Sequence, residues 1–169
     1  MRLQCRLWLP FVALLTAGCS PDTEFEPDRV PDRLGAWLPE PSATILRVTE
    51  SSLRVPTFAI VVDSGAWRQI WTEAWAGAAA TPGLPFEDFV LTSVLVVGLG
   101  DRVGTGYSVS IDSVVTYTGG QVLFATETRP EHTCPGSAGS TAPVHMVRVP
   151  NHPPPMDYRL GVVRGRCPL

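Results

Sequence analysis

Residues 90–97, VLTSVLVV, form an almost unbroken apolar run that stops at Gly98. Half-exposed strands alternate apolar and polar residues, whereas a short continuous run bounded by turn residues is the pattern of a strand covered on both faces. The chain therefore has to place one strand inside its core. This requirement limits the fold more than any other feature of the sequence.

The neighbouring segments supply the rest of a β-rich domain. Residues 45–49 and 57–62 are short and rich in β-branched side chains. Tyr107, Val109, Ile111, Val115 and Tyr117 alternate with Ser108, Ser110, Asp112 and Thr116, the two-residue period of a half-exposed strand. Gly119 and Gly120 make a tight turn, and residues 121–128 return as the second arm of a hairpin. Residues 144–149 and 158–163 complete the set of strands. One stretch, DSGAWRQIWTEAWAGAAA, has helical spacing instead. Trp67, Ile70, Trp71, Ala74 and Trp75 fall on one face, with Asp63 or Ser64 as the N-cap. The indole stripe fits a helix seam packed on a sheet; a sugar platform is the sharper alternative. The expected fold class is α+β, a mainly antiparallel sheet or sandwich with one Trp-rich amphipathic helix packed on it.

Gly98, Gly100, Gly104 and Gly106 crowd the segment between the apolar run and the alternating strand. A dinucleotide fingerprint would need its third glycine where Val103 stands, and a helix after it; a strand follows instead. A phosphate loop would need Gly-Lys-Ser/Thr, and all 13 basic residues of the chain are arginine. The glycines read as backbone turns between two strands that present Thr105 and Tyr107.

The N-terminus reads as an export signal over residues 1–18. Arg2 and Arg6 precede an apolar stretch, and Ala17-Gly18 forms a small-residue cleavage site. Leu15-Thr16-Ala17-Gly18-Cys19 resembles a bacterial lipoprotein box, in which Cys19 carries lipid and becomes the new N-terminus. Ordinary cleavage that leaves Cys19 free is the alternative. Ser20 after the cysteine implies the outer membrane of a cell envelope. Residues 19–42 hold five prolines from Pro21 to Pro41 among acidic residues, the composition of a tether, with Trp37 and Leu38 placed to pack on the head. Residues 43–169 form the folded domain. Removing Arg2 and Arg6 leaves 11 arginines against 16 acidic residues, a net charge of -5. That argues against nucleic acid as a partner. Cys134 and Cys167 remain as the thiols of the exported domain and are expected to form a disulfide worth about 3–4 kcal/mol. A nucleophilic Cys134 beside His132 is the alternative.

Residues 86–114, FEDFVLTSVLVVGLGDRVGTGYSVSIDSV, followed by residues 141–151, TAPVHMVRVPN, resemble the PrcB protease-complex subunit family. Asp88-Phe89 precedes the apolar strand, Gly100 and then Thr105-Gly106-Tyr107 occupy the turn, and Pro143 to Pro150 match a later Pro-x-His-x-Val-x-Pro-like strand. One glycine stands between Thr105 and Tyr107 where the family commonly has two. The helix at Trp67–Trp75 fits the family's helix ahead of Asp-Phe, and the resemblance spans residues 60–151. It implies a lipoprotein subunit that supports a protease and has no catalytic residues of its own. A second resemblance, to chagasin-like cysteine-protease inhibitors, rests on the Thr-Gly-Tyr turn with Arg129-Pro130.

No Gly-x-Ser-x-Gly elbow is present, and His132, Cys134, His145 and His152 lack paired metal-ligand spacing. The chain reads as a non-enzyme with no cofactor, metal or small-molecule substrate. Its expected partners are a protein, a protease, and the membrane that holds the anchor. The expected contact residues are Gly104, Thr105, Gly106, Tyr107, Arg129 and Pro130, which either bind the partner or only shape the turn.

Overall fold

A computed structural model of the chain describes residues 33–40, 43–131, 139–150 and 156–166. Cys19, Cys134, Cys167, His132 and His152 lie outside the described residues, together with the export segment. The described residues form β1 (Arg33–Trp37), β2 (Thr44–Val48), β3 (Thr57–Val61), α1 (Ser64–Ala74), β4 (Thr92–Gly98), β5 (Arg102–Val103), β6 (Ser108–Tyr117), β7 (Gly120–Pro130), β8 (Ser140–Thr141), β9 (Val144–Pro150) and β10 (Met156–Gly165). One sheet runs β1-β6-β7-β10 and a second runs β2-β9-β4-β3, with β5 and β8 as a short separate pair. Every pairing is antiparallel except that of β10 with β7. The architecture is the expected one, a mainly antiparallel β fold with one tryptophan-bearing helix.

The apolar run is covered on both faces. Leu95 and Val97 of β4, with Val147 and Val149 of β9, pack into a core shared with Val109, Ile111, Val114, Leu123 and Ala125 of the first sheet. Val94, Val96, Val144 and Met146 face the opposite way, onto Trp67, Ile70, Trp71 and Ala74 of α1. Each strand therefore sends odd residues to the sheet-sheet core and even residues to the helix, as a two-residue period requires. The strand starts later than the apolar run does. Asp88 caps a turn, accepting from Val90 N–H on its side chain and from Leu91 and Thr92 N–H on its carbonyl, and that turn leaves Val90 and Leu91 exposed.

Asp63 caps α1, its carboxylate accepting from Gly65 and Ala66 N–H at 2.8 and 2.9 Å. Trp67 and Trp71 are buried and donate their indole N–H groups to Pro85 O and Pro82 O, at 2.9 and 3.0 Å. The stripe is thus a packing seam and not an open platform for a sugar. β1 lies within the stretch read as tether and pairs with β6. Its five residues contain no proline, and Trp37 packs against the sheet-sheet core.

His145 joins the two sheets. It sits on the inward face of β9 and is 3% exposed. Its Nδ1 accepts from Ile111 N–H of β6 at 2.8 Å, where a bulge at Asp112 breaks the β6–β7 register. Nε2 therefore carries the proton and meets Thr44 Oγ1 of β2 at 3.2 Å. Burial, reinforced by the charge of Arg47 and opposed by Asp112, pushes the imidazole down from 6.5 to about 4. The folded domain then binds fewer protons than the unfolded chain between those values. Stability from this group is complete above pH 6.5 and is lost as pH falls toward 4. The expected loss is on the order of 3 kcal/mol, read as a falling denaturation midpoint from pH 7 to pH 4. His145→Leu flattens that part of the profile and lowers stability at pH 7, because it orphans the Ile111 N–H.

Candidate functional site

The loop after β4 is closed onto the domain by its own backbone. Leu99 N–H donates to Pro143 O at 2.9 Å, Asp101 N–H to Arg54 O at 2.9 Å and Gly104 N–H to Gly139 O at 2.8 Å. β5 pairs with β8 inside it, and Thr141 Oγ1 donates to Gly104 O at 3.1 Å. Gly100 has φ +72°, and a Cβ there would stand 2.7 Å from Pro56 Cδ and 2.8 Å from Arg54 O. Only glycine allows the chain to pass so close to the 54–56 backbone. Gly104 and Gly106 also take positive φ, which turns the chain twice before β6 begins.

A buried carboxylate ties this loop to the first sheet. Leu123, Ala125 and Glu127 alternate on the inward face of β7, so Glu127 ends a row of core residues. It is fully buried. Its Oε1 receives Arg102 Nε from the loop at 2.9 Å and Arg129 Nε from the end of β7 at 3.0 Å. Arg102 also donates from Nη1 to Leu99 O at 2.7 Å. Burial alone pushes the Glu127 carboxyl up, but the hydrogen bonds from Arg102 and Arg129, together with their charges, outweigh it and hold the group below its ordinary 4.5. Arg129 is held above its ordinary value by the same bond and charge, with a smaller contribution from Tyr107. Burial, then the charge of Glu127, pushes the Tyr158 phenol up.

The expected contact residues fall into two groups. Gly104 is buried in the loop, while Thr105, Gly106 and Tyr107 are half-buried just ahead of β6. Arg129 and Pro130 end β7, where Pro130 stands opposite Gly165 of β10. Ser108 pairs with Thr128, so Tyr107 comes beside Arg129. The structure thus joins two segments that are far apart in sequence. Arg102, Glu127 and Arg164 belong to the same end of the fold and are absent from the sequence-based expectation. Glu127 leaves a signal in the sequence, because it occupies the apolar parity of its strand. Arg102 and Arg164 leave none, since their placement depends on pairing between distant segments.

Residues 93–150 match the family model described as PrcB C-terminal. The matched segment runs from β4 to the end of β9 and contains the glycine loop, Arg102, Tyr107, Glu127 and Arg129. No curated protein and no solved structure matches the chain.

Removing Glu127 leaves two arginines crowded at a partly desolvated site. Breaking a fully buried pair costs about 3–5 kcal/mol; because Arg102 and Arg129 keep 24% and 50% side-chain exposure, Glu127→Ala is expected to cost about 2–3 kcal/mol. Replacing Arg102 and Glu127 together by leucine recovers most of that loss in a urea titration. A cost below about 0.5 kcal/mol for Glu127→Ala, the level of an ordinary surface substitution, would contradict the assigned role.

Proposed function

We propose that this chain is a non-catalytic, lipid-anchored envelope protein whose folded head binds a protease complex and supports it. The observation that carries the reading is the match of residues 93–150 to the PrcB C-terminal family model. The matched residues include the whole of the loop and its ion cluster. They supply what a binding surface needs, a half-buried aromatic beside an arginine on backbone that is already in place. Anchoring through Cys19 in the outer membrane completes the proposal and rests on Leu15-Thr16-Ala17-Gly18-Cys19.

The inhibitor reading uses the same residues, and the proximity of Tyr107 to Arg129 would serve it equally well. An inhibitory wedge, however, has to project an exposed tip into a cleft. Here Gly104 is buried, and Thr105, Gly106 and Tyr107 are half-buried. The half-buried turn supports the docking-face reading, although Val103, just ahead of it in the same loop, is exposed.

The test is capture of the tagged full-length protein from detergent-solubilised envelopes, with an activity-based probe for proteases applied to the eluate. An active protease is expected to co-purify with the parent protein and to be lost with Tyr107→Ala and with Arg129→Ala, each checked for an intact thermal transition. A protease that co-purifies but fails to react with the probe would replace the subunit reading by the inhibitor one. Absence of any protease from the parent eluate would overturn both.

A further inference from the structure

Burial falls steadily along one face of β10. Met156 is buried, Tyr158 stacks on Phe58 of β3 with ring centroids 4.9 Å apart, Leu160 and Val162 are 37% and 50% exposed, and Arg164 is exposed. The same happens on β7, where Leu123, Ala125 and Glu127 are buried and Arg129 is exposed. The inward face of the first sheet thus emerges from the sandwich as a shelf. Leu160, Val162 and Arg164 lie opposite Ala125, Glu127 and Arg129, and Tyr107, just ahead of β6, comes beside Arg129 in the last row. At the inner end of the shelf is a cavity of about 280 Å³ lined by Phe58, Leu99, Arg102, Tyr158 and Leu160, among others.

The charge of this shelf opposes that of the chain. The whole chain carries a net charge of -3, but this face of β10 ends on Arg164, with Arg166 just beyond it and Glu131 donating its N–H to Gly165 O beside them, while Asp157 and Arg159 alternate onto the opposite face. In the cluster beside them, Arg102 and Arg129 share the single carboxylate of Glu127. An arginine excess next to an apolar cavity selects for an acidic segment and against a basic one.

We propose that the shelf holds an extended acidic segment of the protein partner. An apolar side chain of that segment enters the cavity beside the stacked rings of Phe58 and Tyr158, and a carboxylate further along reaches Arg129 and Arg164. Leu160 and Arg164 are about 13 Å apart at strand rise, which corresponds to about four residues of extended ligand. This assignment rests on the partner-binding reading above and names the chemistry of the partner. Arg164 lies beyond the residues that match the family model, so this half of the shelf comes from the chain's own C-terminal strand.

The probe is a fluorescein-labelled peptide, Phe-Ser-Thr-Ser-Glu-Glu, titrated with the full-length protein in detergent and read by anisotropy. Binding is expected to weaken steeply as salt rises. Arg164→Glu is expected to weaken it about tenfold or more, and Arg164→Lys by less than about threefold. Replacing the phenylalanine by serine weakens binding about tenfold, and the Lys-Lys-ended peptide does not bind. The proposal is overturned if the Lys-Lys peptide binds equally well, if Arg164→Glu changes nothing, or if the acidic peptide fails to bind at millimolar concentration. It is also overturned if Arg164→Glu dissolves a dimer that the peptide does not compete with, since a second copy would then occupy the shelf. Loss of peptide binding with protease capture intact would remove the acidic-segment assignment and leave the partner-binding reading standing. Peptide binding without protease capture would do the reverse.

Discussion

Residues 93–98 of β4 and 144–147 of β9 are buried on both faces, and the rest of the domain is arranged to cover them. Their odd residues require a second sheet and their even residues require a helix. The helix that answers this demand carries two buried tryptophans, whose N–H groups then need acceptors. The segment after α1 provides them at Pro82 O and Pro85 O, so a stretch without regular structure is held by the core it crosses. Burial of this kind is what permits a small sandwich to hold a rigid loop, because the loop starts where a fully enclosed strand ends.

Glu127 shows how the apolar interior gives way to the candidate surface. A carboxylate at the last buried inward position of β7 is costly unless it is paired, and Arg102 and Arg129 pair it. An apolar residue at this position would pack without cost but would leave Arg102 bonded only to carbonyls of its own loop. The cluster therefore trades stability for placement. It fixes the loop relative to the sheet and leaves Arg129 half exposed beside Tyr107. His145 makes a comparable connection deeper in the fold, where a neutral ring satisfies a backbone N–H freed by the bulge in β6. Both are polar groups set between layers, and both tie segments that no local signal would bring together.

What the sequence made legible follows from the range of each interaction. The enclosed strand, the tryptophan seam and the Gly119-Gly120 hairpin all announce themselves through local periodicity and turn chemistry, and all three appear in the structure. β1 was hidden because Arg33–Trp37 sits among prolines and acidic residues, and only the pairing with β6 makes it a strand. The parallel pairing of β10 with β7 was hidden for the same reason. Strand content is a local property, whereas strand direction in a sheet is decided by distant partners. Tyr107 and Arg129 were legible as turn and loop residues. Their meeting depended on the β6–β7 register, and the arginines around them depended on β5 and β10.

The candidate surface is a preformed extension of the core and not a loop that becomes ordered on contact. Native-state hydrogen exchange tests this most directly. The amides of Leu99, Asp101 and Gly104 each donate to a carbonyl of another segment. They are predicted to exchange only through the same large-scale opening that exposes the amides of β4. Fast exchange at these three positions with β4 fully protected would contradict the account, because the loop would then be free of the core that is said to hold it.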